Sequence, residues 1–276
     1  MISKLKKTVI YWLLLAPLVI VILFPFAVMF VTAVRPREEL FVYPPRWTFS
    51  QFRWDNFVDM WVKTNFGGAL LNSLYVSVSA TVLALLFSIP AAYALSRYRF
   101  PGKGLYRNFL LMTQMMSPIV LVLGLFRLMV AFGLVNNLNS LVITYAAFNM
   151  AFTIWMLQSY FNTIPRELEE AAWMDGASHY FSLVKIFLPL AVPAMVVTAI
   201  FTFINSWNEF VLALTMIRSN DDFTLPVMIF SQVAGRYQIE WHHVMAATVL
   251  ATVPVAIVFS WLQRYLIRGM ALGAVK

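Results

Sequence analysis

The 276-residue chain is 61% hydrophobic and 12% charged, and its 20 Lys and Arg against 12 Asp and Glu give a net charge of +8. A soluble domain is about 25% charged and at most about half apolar, so the composition excludes a disordered chain and argues against a soluble enzyme. The absence of cysteine excludes a disulfide framework, a thiolate metal site and a Cys nucleophile. Because the basic residues lie between long apolar stretches, they form no array suited to nucleic acid, and the chain reads as an all-α integral membrane protein.

A hydrocarbon core of about 30 Å needs roughly 20 apolar residues in a helix. Six stretches meet this: Val9–Val34, Leu70–Leu95, Leu105–Phe132, Leu138–Tyr160, Leu190–Ile217 and Val244–Leu266. The first is uncharged and is followed by no clean small-x-small cleavage site, so it reads as a retained span. Transmembrane strands alternate apolar and polar residues, whereas these runs are apolar on every face.

Placing the N-terminus in the cytoplasm gives the inner segments twelve basic residues (Lys4, Lys6, Lys7, Arg97, Arg99, Lys103, Arg107, Arg166, Lys185, Arg264, Arg268, Lys276) and four acidic ones (Glu167, Glu169, Glu170, Asp175). The outer segments then hold seven of each sign, and Arg127 and Glu209 remain within spans. The whole excess thus falls on one side, as the positive-inside rule requires, and both termini are expected in the cytoplasm. Two outer segments are long. Arg35–Ala69 carries Trp47, Trp54, Trp61 and Pro44-Pro45, and Ser219–His243 carries Trp241. They suit either an aromatic belt at the interface or a docking surface for an external partner.

The inner segment 162–189 holds every acidic residue assigned to that side. Thr163 can cap a helix, Pro165 suits its first turn, and Glu167, Glu169 and Glu170 complement the dipole. Ala171-Ala172 offers a flat packing surface, Asp175-Gly176 interrupts, and Ser178 can start a second short helix. A helix lying on lipid headgroups would carry basic residues on its polar face. This one is acidic, which favours a protein partner.

Glu170-Ala171-Ala172, Asp175-Gly176-Ala177 and Ile186-Phe187-Leu188-Pro189 together resemble the EAA loop of ABC importer permeases. The resemblance extends to Asn72-Ser73-Leu74, to Ala91–Gly104, to Trp207-Asn208-Glu209-Phe210 and to the terminal Gly273-Ala274-Val275-Lys276, and points to the shorter, maltose G-type permease of the sugar-uptake subgroup. It implies a type I ABC importer permease fold of six transmembrane helices in the bacterial inner membrane. It also implies a heterodimer with a second related permease, two ATPase subunits that hold ATP and magnesium, and a periplasmic or external binding protein that delivers a sugar. Glu170, Ala171, Ala172, Asp175, Gly176 and Ala177 would form the ATPase-coupling loop, and Gly273 and Lys276 an ATPase-contacting tail. Other solutes carried by EAA-loop permeases, such as a polyamine or a phosphorylated polyol, stay open. An ion-coupled secondary transporter is the reading from a different class, although it should show internal repeats and several buried acids. The chain has no G-x-x-x-x-G-K-[ST] loop to cradle phosphates. No cofactor and no enzymatic activity are expected of it. The expected division is 1–69 for the first span with its external segment, 70–266 for the permease core, and 267–276 for a cytoplasmic tail.

Within the spans, the small residues Ser73, Ser77, Ala80, Ala84, Ser88 and Ala91 share one helical face suited to close packing. Intramembrane polar groups are costly and more often functional. Asn205, Trp207, Asn208 and Glu209 are candidates for the solute path, because amides, a carboxylate and an aromatic ring suit sugar hydroxyls and the apolar sugar face. Gln114 and Asn149 are further candidates. At 1.5 Å per residue, Glu209 and Arg127 fall about 13 and 8 Å below the outer ends of their spans, so an ion pair between them is the competing role. His179, His242 and His243 are divided between the two sides, with no carboxylate at ligand spacing, and no metal site is expected.

Overall fold

The computed structural model describes residues 2–43, 51–234 and 236–273, and side chains within 11–261 of these. The regular structure among the described residues is helical, with no strand. In chain order the helices are α1 (Ile2–Ala33), α2 (Asp55–Lys63), α3 (Phe66–Arg97), α4 (Lys103–Gln114), α5 (Pro118–Ala131), α6 (Leu138–Phe161), α7 (Glu167–Met174), a single turn α8 (His179–Phe181), α9 (Leu188–Asn208), α10 (Val211–Met216), α11 (Leu225–Ser231) and α12 (Trp241–Gly273). A π-helical stretch, Ser182–Phe187, joins α8 to α9.

Among the described residues, five helical stretches are long and apolar enough to cross a membrane: Tyr11–Ala33, Phe66–Arg97, Leu138–Phe161, His179–Asn208 and Trp241–Trp261. The sixth expected span is not one helix. Residues 105–132 fall on α4 and α5, bent by 100° at the break. The cause is local: Pro118 opens α5 and holds Ser117 extended at φ −70°, ψ 134°, the region that a following proline favours. The expected fifth span is also interrupted, since Glu209 is extended (ψ 130°) between α9 and α10.

Two compact units arise from this chain, Met1–Gly67 with Met228–Pro254 and Gly68–Val227 with Val255–Lys276. In the first unit, α1 ends with unpaired carbonyls, as every helix does. The Asn56 amide supplies donors to the carbonyls of Ala33 (2.8 Å) and Arg35 (3.0 Å). On α2, Lys63 lies 2.9 Å from Asp59 one turn away, and its hydrogen bond holds that carboxyl below the ordinary value. Trp54 lies near Phe30, Phe52 and Phe57, while Pro44-Pro45 and Trp47 lie outside the described residues.

The second unit is built on α3, α6 and α9. Ser73, Ser77, Ala80, Ala84 and Ser88 of α3 are buried and Ala91 is half-buried, so the small-residue stripe is a packing face. Val76, Ala80 and Ala84 meet Tyr145 and Ala146 of α6 and Leu212 and Ala213 of α10 in one apolar cluster. Ala92, Tyr93 and Leu95 meet Ile154, Leu157 and Phe161 of α6, together with Phe187 and Ala191, in a second. Asn72 donates to the carbonyls of Asp221 and Phe223, and Ser73 accepts from the Leu225 amide, which anchors the start of α3.

Candidate functional site

The second unit holds a cavity of about 350 Å³ where both broken spans meet α6. Thr113 and Gln114 come from the last turn of α4, Tyr145, Phe148, Asn149 and Phe152 from α6, Asn205 and Ser206 from α9, and Glu209 from the α9–α10 break. Four residues expected in a solute path, Gln114, Asn149, Asn205 and Glu209, are therefore gathered around one cavity. Two are not. Trp207 is buried and stacks on Phe203 (5.6 Å between centroids), and Asn208 is exposed outside the cavity lining.

A polar ladder ties α6 to α9 along this wall. Asn205 Nδ2 donates to Asn149 Oδ1 (3.2 Å) and the Thr153 and Thr202 hydroxyls lie 3.2 Å apart, while Asn149 Nδ2 is held within α6 by the Tyr145 carbonyl (2.9 Å). Interhelical hydrogen bonds of this kind contribute about 0.6 kcal/mol each in membrane proteins. They orient the amides more than they stabilise the fold.

Glu209 has partners other than the one expected. Its carboxylate accepts from the Tyr145 hydroxyl at 2.6 Å and from the backbone N–H groups of Leu212 (2.9 Å) and Ala213 (3.2 Å). Those amides belong to the first turn of α10, where unpaired donors and the helix dipole favour an anion. Arg127 is exposed on α5, and among the described residues no ion pair joins it to Glu209. The expected ion pair is thus replaced by a carboxylate cap over the broken span. Consequently, Arg127→Glu combined with Glu209→Arg should recover none of the transport lost in Glu209→Arg alone. Partial recovery in an uptake assay would restore the ion pair as the explanation.

The second feature is the connection between α6 and α9. Helix α7 begins with Glu167, Glu169 and Glu170 in its first turn, but Thr163 does not cap it. The Thr163 hydroxyl instead donates back to the Tyr160 carbonyl at 2.7 Å. At the other end, the Ala177 N–H reaches the Ala172 carbonyl (2.9 Å) and the Gly176 N–H the Trp173 carbonyl (3.0 Å), with Gly176 at φ +83°. This paired closure with a left-handed residue is the Schellman cap, which glycine enters at least cost. Ser178 then caps α8, its hydroxyl oxygen accepting from the Phe181 N–H at 3.2 Å. Glu170, Ala171, Asp175 and Gly176 face outward, Ala177 is half-buried and Ala172 is buried. Leu168, Trp173, Met174, Tyr180 and Phe181 are exposed around them. Acidic and apolar groups thus share one outward surface on a short helix pair.

The three glutamates of α7, alike in the sequence, differ in the structure. Glu169 turns inward and is 2% exposed, with Arg97 and Tyr93 of α3 beside it. Tyr145, Phe148, Phe152 and Ser206 are cavity residues that sequence reasoning does not find. The spacing carries a signal for one of them: Tyr145 precedes Asn149 by four residues and shares its helical face.

Glu240, His242 and His243 in the first unit correct a further expectation, since a carboxylate does join two of the histidines. One donor atom from each lies within 4.8 Å of the others. The carboxylate already bonds His243 Nδ1 (2.6 Å) and Arg37 (3.4 Å) at the start of α12. Both the guanidinium and the helix N-terminus repel a cation, so the trio reads as a helix-start bond and is assigned no metal. At the other end of α12 the helix continues through Gly273, and Lys276 lies outside the described residues.

Residues 84–272 match the family described as binding-protein-dependent transport system inner membrane component. Over 266 residues the chain is 33% identical to the probable ABC transporter permease protein YurM of Bacillus subtilis, covering 96% of this chain and 87% of that one. It is 38% identical over 214 residues to the trehalose/maltose transport system permease protein MalG of Thermococcus litoralis, covering 77% of this chain and 76% of that one. In fold it is similar to a crystal structure of a bacterial ABC transporter involved in import of the acidic polysaccharide alginate, with a TM-score of 0.80, 24% identity and coverage of 95% and 97%. With an all-helical chain, several apolar spans and a family match over most of its length, the protein belongs to the binding-protein-dependent ABC transport permeases of the inner membrane.

Proposed function

We propose that this chain lines part of the translocation path of an ATP-driven importer for a sugar or sugar derivative. The observation that carries this reading is the cavity at the two span breaks, where Gln114, Asn149 and Asn205 offer amides beside the rings of Tyr145, Phe148 and Phe152. Amides pair with hydroxyls in both directions, and flat rings suit the apolar face of a sugar. Relatives named for trehalose and maltose transport support the same class. A polyamine would call for an unpaired carboxylate, and that of Glu209 is taken by three donors. A phosphorylated polyol would call for Lys or Arg in the wall, and neither is among the lining residues.

On this reading both termini are cytoplasmic, and a second, related permease completes the path. An external binding protein delivers the sugar, and two cytoplasmic ATPase subunits hydrolyse ATP and take the outward surface of α7 and α8 into a cleft. Ala171 and the exposed Trp173 and Met174 are the groups such a cleft would bury. The test is purification of the tagged chain from membranes, followed by uptake of labelled sugars into proteoliposomes with the binding protein present. An ATPase subunit and a second permease should co-purify, and uptake should require ATP. Recovery of the chain without an ATPase would remove the reading. In the same complex, deleting 273–276 should change the ATPase rate while leaving the chain in the membrane. An unchanged rate and unchanged uptake would mean that the tail makes no functional contact.

A further inference from the structure

We propose that Glu169, Arg97 and Tyr93 form a buried positioning clamp that makes α7 and α3 move as one body, so that force taken up on α7 reaches the solute cavity through α3. The inference rests on the importer reading and adds a route to it. The Arg97 and Glu169 side chains are 7% and 2% exposed, with Nε and Oε2 2.5 Å apart. The Tyr93 hydroxyl donates to the other carboxylate oxygen, Oε1, at 2.5 Å. Arg97 Nη2 donates to the Ile164 carbonyl (3.0 Å), and the guanidinium lies 4.8 Å from the centroid of the Phe187 ring. The Phe187 ring meets Tyr93 and Phe161 edge-on. From the other side, Arg166 Nη2 donates to the Ser96 carbonyl at 3.2 Å.

A clamp differs from simple glue in fixing direction more than in adding stability. A buried ion pair adds little net stability over apolar side chains of the same volume, because its desolvation offsets its attraction. A carboxylate held on one oxygen by the Tyr93 hydroxyl and on the other by ion-pair contact with the Arg97 guanidinium does fix direction, since a hydrogen bond weakens steeply as it leaves its line. Helix α7 has eight residues, too few to hold itself. Its connections are the 162–166 strap and the Gly176 turn, about which an unclamped helix could swing. With the clamp closed, α7 is locked to the last turn of α3. Farther along, α3 packs Val76, Ala80 and Ala84 into the cluster that contains Tyr145 and Leu212. Tyr145 bonds Glu209 in the cavity wall. Spatial continuity alone does not demonstrate coupling, so the test must separate coupling from assembly.

The experiment uses the complete reconstituted complex. In Glu169→Gln and in the shape-preserving Tyr93→Phe, subunit stoichiometry should be unchanged and ATP should still be hydrolysed. Sugar transported per ATP should fall, by about tenfold in Glu169→Gln and by less in Tyr93→Phe. A merely structural role would lower assembly, not this ratio. Because the chain has no cysteine, Glu167→Cys and Arg99→Cys, both at exposed positions, can carry a spin-label pair. The distance distribution between them should be narrow in the otherwise unmodified complex and should broaden in Glu169→Gln. An unchanged transport ratio with an unchanged distribution would overturn the clamp. Loss of the ATPase from Glu169→Gln with an unchanged distribution would also overturn it, making Glu169 a docking contact. If the unmodified chain retains no ATPase, the importer reading fails first and the clamp falls with it.

Discussion

Gly176→Leu is expected to lower sugar uptake by the reconstituted complex at least about tenfold while the chain still inserts and folds, and Glu170→Lys to do the same through a different cause. Gly176 stands at φ +83°, and a Cβ built on it would meet nothing within 4 Å. The leucine penalty inside this chain is therefore conformational, about 1–2 kcal/mol for a left-handed L-residue, and not a clash. That cost is enough to open the cap of an eight-residue helix and shift α8, yet too small to unfold a protein of several apolar spans. Asn visits the same backbone region at less cost, so Gly176→Asn should retain most uptake if the turn alone matters. If the glycine is needed because a partner's backbone comes close, Asn and Leu should fail alike. Glu170 is exposed in the first turn of α7. Reversing its charge there costs about 0.3–1 kcal/mol against the helix dipole, so a large loss of coupling must come from a partner. Uptake, ATPase rate and subunit stoichiometry measured on one preparation decide the matter. Normal values for both Leu and Lys variants would mean that α7 is not where the ATPase acts.

The apolar runs and the acidic loop are legible in the sequence because both are properties of composition over a window. The Gly176 interruption is legible too, and it is a C-terminal cap. The breaks are less legible. Pro118 is visible as an intramembrane proline, but hydropathy averages over 105–132 and cannot register a 100° bend. The break at Glu209 carries no proline at all. It forms where a carboxylate takes the amides of Leu212 and Ala213, a three-dimensional bond with no periodic signature. This is also why the sequence misleads on an Arg127–Glu209 pair. Depth estimates at a constant rise assume straight helices, and both residues lie on broken spans. For Glu169 the failure is different in kind. Three glutamates in one first turn suggest one shared role, but a helix places successive residues about 100° apart, and only Glu169 of the first-turn acids is buried.

Glu209 offers the sharpest separation of structure from transport. Glu209→Ala removes the acceptor for the Tyr145 hydroxyl and for two backbone amides at once. Each buried donor left unpaired costs about 1–3 kcal/mol, so three together approach the whole stability margin of about 5–15 kcal/mol for a typical domain. Glu209→Ala is therefore expected to reduce the amount of assembled complex, and not merely its rate. Glu209→Gln keeps one carbonyl oxygen of the same reach, but its NH₂ group now confronts one of the donors. It should assemble near normally with a loosened first turn of α10. Tyr145→Phe removes a single hydroxyl and leaves the cap on α10 intact, opening one further acceptor position on Oε2, which still accepts from the Ala213 N–H. If Glu209 touches the sugar, Tyr145→Phe and Glu209→Gln should both change the KM for uptake, because the oxygen that meets the sugar has changed its partners. If the carboxylate only closes the span break, Glu209→Gln should leave KM unaltered and the yield of complex near normal, with the loss confined to Glu209→Ala. Measured KM and yield for these variants place Glu209 on one side or the other, and a Glu209→Ala complex that assembles and transports normally would refute both roles.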